Sequence, residues 1–275
     1  MVRQPGELII GIDRGASFTD FGVVQKNRLI HSECLETRDW KHIERMYGRL
    51  AARYPTPHVV FTGSAADMPE RIRREAVDIP EIDAIGLGGA VAAGRKECVV
   101  VSMGTGTAVV HVAPSGCRHV GGTGMGGGTI RGLASLICGT DDPLEIESMA
   151  MKGRAKQVNL TISDLGYEAI SFLGADMTAS NFAALRSPSK EDLAAAILSL
   201  AGETVGIVAS ICAREARCSQ AIVVVGKVAA NAFIRQTLEL VGRLYRTSFL
   251  FPDHPGFATV FGAAVKYRLD RQKSS

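Results

Sequence analysis

Three short stretches of this chain combine glycine with serine or threonine, and each follows or lies close to an apolar run of β type. They are Gly11-Ile12-Asp13-Arg14-Gly15-Ala16-Ser17-Phe18-Thr19, Ser102-Met103-Gly104-Thr105-Gly106-Thr107 and Gly121-Gly122-Thr123-Gly124-Met125-Gly126-Gly127-Gly128-Thr129. Glycine lets main-chain N–H groups come up to a ligand with no side chain in the way. Three such loops, with hydroxyls beside the amides, point to a bound polyanion, and nucleotide phosphates are the leading candidate.

The chain has 275 residues, 46% of them hydrophobic and 21% charged. That is an ordinary globular balance, with length enough for one large domain or two lobes with separate cores. The net charge of +3, with no run of basic residues, excludes a phosphate-backbone track for nucleic acid. Cys34, Cys98, Cys117, Cys138, Cys212 and Cys218 are scattered, with no Cys-x-x-Cys pair. The spacing argues against a metal or iron–sulfur centre and fits free thiols in a reducing cytoplasm. The apolar run at 8–12 is too short for the core of a signal peptide. No segment is expected to reach the ~20 apolar residues of a membrane span. The expectation is a soluble, cytoplasmic protein.

Residues 8–12 and 21–25 read as two strands of a hairpin whose tip holds Gly15 and Ala16, with a third strand over 28–32. Apolar residues at helical spacing (Ile43, Met46, Tyr47, Leu50) predict a helix over 39–54 that stops before Pro55. A strand over 58–63 follows. Strands are then expected at 97–102, 108–112 and 117–121, around the second glycine turn. Helices are expected from Pro143 to Ala150, over 193–217 behind a start at Ser189, over 230–245 and over 256–269. The fully apolar run at 221–225, ending in Gly226, reads as a strand buried on both faces. The repeated order predicts a duplicated α/β architecture, with lobes over 1–90 and 91–275 and a cleft between them.

With these pieces in order, the chain resembles the type II (fumble-like) pantothenate kinases, a branch of the actin, hexokinase and sugar-kinase superfamily. The resemblance runs from Gly11 to Gly262. It rests on Gly11-Ile12-Asp13-x-Gly15, Thr62-Gly63, Pro80-Glu81-Ile82-Asp83-Ala84 and Met103-Gly104-Thr105-Gly106-Thr107. Further runs are Val120 through Leu133, Thr178-Ala179-Ser180-Asn181-Phe182, Gly202-Glu203-Thr204-Val205-Gly206 and Phe261-Gly262-Ala263. Each run alone is weak; their order and spacing together are specific. The resemblance implies a ribonuclease H-like, actin-like ATPase fold of two lobes with a nucleotide cleft. It implies an ATP- and Mg2+-dependent kinase that phosphorylates pantothenate, the first step toward coenzyme A, and works as a homodimer.

The resemblance also assigns residues. Asp13 would organise the magnesium ion and the phosphates, with Gly15, Ala16 and Ser17 contacting phosphate through their amides. Glu81 would be the general base that takes the proton of the substrate hydroxyl, with Arg118 an anion contact. Gly104, Thr105, Gly106 and Thr107 would hold the β- and γ-phosphates. The run 121–129 carries too much glycine for a regular element and would wrap the nucleotide, with Gly127, Gly128, Thr129, Ile130 and Arg131 nearest. Gly226 and Lys227 would meet the adenosine, and Thr178 and Ala179 the pantothenate pocket of the partner subunit.

Two positions depart from the family pattern. Asp20 stands where the first loop normally carries lysine, so an anion replaces a cation near the phosphates. His119 stands where an arginine is expected before Val120, and Arg118 lies one residue earlier. Neighbouring strand residues face opposite ways, so Arg118 replaces it only through a slip or bulge. These departures keep two alternatives open: a kinase of the same fold acting on another small hydroxyl substrate, and an ATP-binding regulatory or activator protein without kinase activity.

Overall fold

The computed structural model describes residues 7–36, 39–54, 57–66, 68–171 and 173–274; Pro55 lies outside them. The apolar runs of the N-terminal third form β1 (Leu8–Arg14), β2 (Thr19–Gln25), β3 (Arg28–Leu35), β4 (His58–Gly63) and β5 (Ala76–Asp78). They assemble into one sheet of order β3-β2-β1-β4-β5. β1 is antiparallel to β2 and parallel to β4. Helix α1 (Trp40–Arg53) starts where the Asp39 side chain accepts from the Lys41 amide. It lays Ile43, Met46, Tyr47 and Leu50 on one face of the sheet. Helix α2 (Glu70–Glu75) precedes β5, and α3 (Glu81–Ala92) leaves the sheet behind Pro80.

The same plan is then built again. β6 (Cys98–Met103), β7 (Thr107–Ala113) and β8 (Gly116–Thr123) form an antiparallel meander, and β13 (Ile222–Val225) and β14 (Phe249–Leu250) complete a second sheet of order β14-β13-β6-β7-β8. Between meander and β13 run α4 (Gly127–Cys138), α5 (Pro143–Ala150), and the short strands β9 (Leu160–Thr161), β10 (Ala169–Ile170), β11 (Leu173–Gly174) and β12 (Thr178–Ser180). α6 (Lys190–Glu215), α7 (Ala232–Tyr245) and α8 (Ala258–Ser274) are the remaining α-helices among the described residues. A capping box at Ser189 and Asp192 starts α6 three residues before its first apolar position. α6 is long and apolar enough to cross a membrane by composition, contrary to the expectation of no such segment. Its Ala194, Ala195, Ile197, Leu198, Ala201 and Val205 are instead core of the second lobe.

The lobes exchange helices. α3 packs Ile85 and Ala90 against Val100, Val110 and Val223 of the second sheet. α8 comes last in the chain, yet it places Ala263 and Ala264 against Ile9, Val24 and Val60 of the first. A single cut near residue 90 therefore does not separate the two units, because α8 returns to the first lobe. α3 and α8 cross in direct backbone contact. A Cβ on Gly88 would lie 1.9 Å from the Ala258 carbonyl oxygen, and one on Gly262 would lie 1.9 Å from that of Ala84. Only glycine permits this approach.

Candidate active site

Both hairpin tips open into one cavity of about 700 Å³ between the lobes, a size typical of small-ligand sites. Its walls include Asp13, Gly15, Ala16 and Ser17 of the first turn and Gly104, Thr105, Gly106 and Thr107 of the second. Glu81, Gly127, Gly128, Ile130, Arg131, Gly226 and Lys227 also line it. The tips touch: the Ser17 and Thr105 hydroxyls are 2.9 Å apart, a hydrogen bond from lobe to lobe.

The third glycine run is not a loop. Gly121, Gly122 and Thr123 end β8, and Gly127 opens α4. The Gly127 amide donates to the Gly104 carbonyl (2.7 Å) and the Gly128 amide to that of Thr105 (2.9 Å), so the start of α4 is sewn to the second hairpin tip. A Cβ on Gly126 would lie 2.6 Å from the Thr105 oxygen, and one on Gly128 2.8 Å from the Thr105 methyl. These glycines thus serve close packing, and regular structure survives because tertiary contacts offset their intrinsic cost. The amides of Gly15 and Gly226 are also engaged, by Phe18 and Pro255. Those of Ala16, Ser17, Thr105 and Gly106 donate to no backbone carbonyl among the described residues.

Four charged groups meet at the cavity floor. Asp13, the penultimate residue of β1, lies directly opposite Asp20 of β2, so the two carboxyl groups share a face. Glu81, the first residue of α3, faces the same cavity. Burial, then the negative charges of Asp20 and Glu81, push the Asp13 carboxyl up to about 8, against a smaller opposing pull from Lys227. The Lys227 ammonium reaches across from the second lobe to Asp20 Oδ2 at 2.5 Å. It also lies 4.9 Å from the centre of the Phe18 ring. The other Asp20 oxygen, Oδ1, is buried with no hydrogen-bond partner. Arg131 is held by Glu36 and Asp141, each at 2.8 Å.

The structure does not bring every expected residue here. Thr129 sits just behind the wall, its hydroxyl donating to the Gly124 carbonyl at 2.9 Å. β8 does carry an irregularity: Val109 pairs with Gly121 and Val110 with His119, so Val120 is the extra residue. The bulge lies beyond Arg118 and does not turn it. Arg118 stays exposed opposite His111, on the α6 face of the sheet, while His119 sits opposite Val110 on the α3 face. Arg118 is therefore not an anion contact of this cavity. Thr178 and Ala179, expected at a partner subunit's pocket and not at this one, lie on β12; the Thr178 hydroxyl donates to Glu203 at 2.9 Å. Asp83 lies 3.8 Å from Lys266 on α8.

Among the residues that sequence reasoning did not place in the site are Phe18, Leu144, Glu147, Asn231 and Thr259. Phe18 lies inside the first glycine stretch but carries no anion-binding group; the others belong to no motif, and only the fold collects them. Asp20 was legible as an anomaly; its partner, 207 residues away, was not. Away from the cavity, Glu97, His111 and Cys218 bring ligand-type atoms within 4.8 Å of one another, a grouping invisible to Cys-x-x-Cys spacing.

Two duplicated sheets, two crossing helices and a cleft lined by both hairpin tips define a protein of the actin, hexokinase and sugar-kinase fold. Solved structures agree. An activator of 2-hydroxyisocaproyl-CoA dehydratase from Clostridium difficile with bound ADPNP superposes with TM-score 0.65 at 19% identity, covering 98% of each chain. A ROK family glucokinase from Streptomyces griseus in complex with glucose and AMPPNP superposes with TM-score 0.64 at 14% identity, covering 95% of this chain and 99% of the other. The Fumble family model matches residues 96–266, and the chain belongs to the Fumble family. Relatives named type II pantothenate kinase include one from Oceanobacillus iheyensis, 26% identical over 93% of this chain and 98% of its own length. Another, from Staphylococcus aureus strain USA300, is 24% identical over 92% and 97%.

Proposed function

We propose that this chain is a pantothenate kinase, transferring the γ-phosphoryl group of ATP to pantothenate to give 4'-phosphopantothenate. The observation that carries the reading is convergence: Asp13, Glu81 and both glycine tips meet in one cavity, in a chain of the Fumble family. The amides of Ala16, Ser17, Thr105 and Gly106 cradle the phosphate tail, with the Ser17 and Thr105 hydroxyls beside them. Glu81 accepts the proton of the substrate hydroxyl as the new O–P bond forms and the bond to the β-phosphate oxygen breaks. Such a transfer depends mainly on positioning and charge neutralisation. The half-buried Asp13 beside the buried Asp20, one of whose oxygens lacks a partner, fits a hard divalent cation. Magnesium, when bound at Asp13, supplies that neutralisation. Arg131, paired with Glu36 and Asp141, and Lys227, paired with Asp20, place cations on the cavity wall, and Gly226 shapes it. In this reading the enzyme works in the cytoplasm as a homodimer; the six free cysteines suit a reducing compartment.

The test is ATP consumption across a panel of small alcohols, with light scattering for assembly state. Turnover is expected only with pantothenate. Glu81→Gln is expected to lower kcat by about 10²–10⁴-fold while leaving nucleotide affinity nearly unchanged. Turnover with a different alcohol alone would reassign the substrate, and unimpaired Glu81→Gln would remove the base.

A further inference from the structure

The family pattern places a lysine in the first loop, where this chain has Asp20. The cavity nevertheless contains a lysine beside that loop, supplied by the opposite lobe. Lys227 follows Gly226, whose φ of +90° turns the chain sharply at the end of β13. A Cβ there would lie 2.4 Å from the Met103 carbonyl oxygen. The turn delivers the ammonium to Asp20, between the Phe18 ring at 4.9 Å and the Phe257 ring at 5.8 Å.

This arrangement crowds carboxyl groups around a single cation. Asp13 and Asp20 are cross-strand neighbours on one face, a placement that repels when both are ionised. Glu81 faces the same space, so three carboxyls meet one ammonium. Asp20 is 6% exposed, yet its Oδ1 has no hydrogen-bond partner, and a buried acceptor left unmade is costly. Lys227 keeps a third of its side chain exposed, which leaves it room to move.

We propose that Asp20 is a second acidic ligand, beside Asp13, for the divalent cation that accompanies the nucleotide, and that Lys227 is a resident cation which moves from Asp20 to the phosphates when that cation arrives. The proposal rests on the nucleotide-site reading above. It accounts for the partnerless oxygen, for the position of an anion in a phosphate loop, and for a lysine held over aromatic rings. The two moves are coupled: a metal at Asp20 cancels the charge that holds Lys227 on Oδ2, and Lys227 cannot reach phosphate while it neutralises Asp20.

The experiment measures Mn2+ binding to the full chain by electron paramagnetic resonance, alone and with a non-hydrolysable ATP analogue. It compares wild type, Asp20→Asn and Lys227→Met. Wild type is expected to bind Mn2+ weakly alone and at least tenfold more tightly with the analogue. Lys227→Met should tighten binding of Mn2+ alone by tenfold or more and weaken analogue binding. Asp20→Asn should weaken Mn2+ binding in the presence of the analogue by tenfold or more, yet improve analogue binding in EDTA. If wild type binds both ligands but Asp20→Asn changes Mn2+ affinity less than twofold, the proposal is overturned and the nucleotide site stands. If wild type binds neither, both fall. Should Asp20→Asn fail to fold, Lys227→Met decides alone: unchanged affinity for Mn2+ overturns the proposal.

Discussion

Replacing Asp13 by Asn should make the ligand-free protein more stable at neutral and alkaline pH, although the residue lies at the centre of the site. The Asp13 carboxyl rises from its ordinary 3.8 to about 8, first because it is buried, then because Asp20 and Glu81 face it. A carboxyl raised on folding contributes its full share below the unfolded value and loses it as pH climbs toward the folded value. Between pH 5 and 8 the native state holds about one proton more than the unfolded chain. Its stability therefore falls by about 1.4 kcal/mol per pH unit, or about 4 kcal/mol across that window. Asn lacks the titration, and the other groups largely cancel in the difference between the two proteins. Urea unfolding in EDTA at pH 5, 6, 7 and 8 reads the quantity directly. The advantage of Asp13→Asn over wild type should grow by several kcal/mol from pH 5 to 8. A change smaller than about 1 kcal/mol would refute the crowded-carboxyl account.

Other perturbations follow from the same structure. Gly262→Ala drives a methyl onto the Ala84 carbonyl oxygen and should cost about 3 kcal/mol or more, seen as loss of soluble protein or a large drop in melting temperature. Ser189→Ala removes the capping box of α6 and should cost about 1 kcal/mol in urea unfolding. Ser17→Ala breaks the hydroxyl contact between the lobes; being exposed, it should change global stability by less than about 1 kcal/mol. Its effect belongs in the KM for ATP, since the same hydroxyl borders the phosphate cradle.

Local pattern was enough for much of this molecule. The alternation and apolar density of 8–12, 21–25, 58–63 and 221–225 announced strands, which the structure extends by a residue or two or trims slightly. Ser189 announced the start of α6 because a cap is a local hydrogen-bond arrangement. α3 was harder to read. Gly86, Gly88 and Gly89 disfavour a helix in isolation, and only the backbone crossing with α8 explains them. α4 is illegible for the same reason: its opening glycines read as ligand-binding loop, whereas the hairpin tip of the second sheet occupies their amides. Arg118 and His119 show a third limit, since the face each presents depends on where the bulge falls.

The linear order of residues determined the duplicated strand pattern, the glycine tips and the presence of acids at 13 and 81, because these depend on neighbours within a few positions. It also marked Asp20 as out of place. Folding alone decided that Lys227 answers Asp20 from the far lobe, that Arg118 faces away, and that α8 returns to the first sheet. Each of those outcomes is a contact between segments remote in the chain, set by which packed arrangement buries the apolar faces of both sheets. No local propensity encodes that choice.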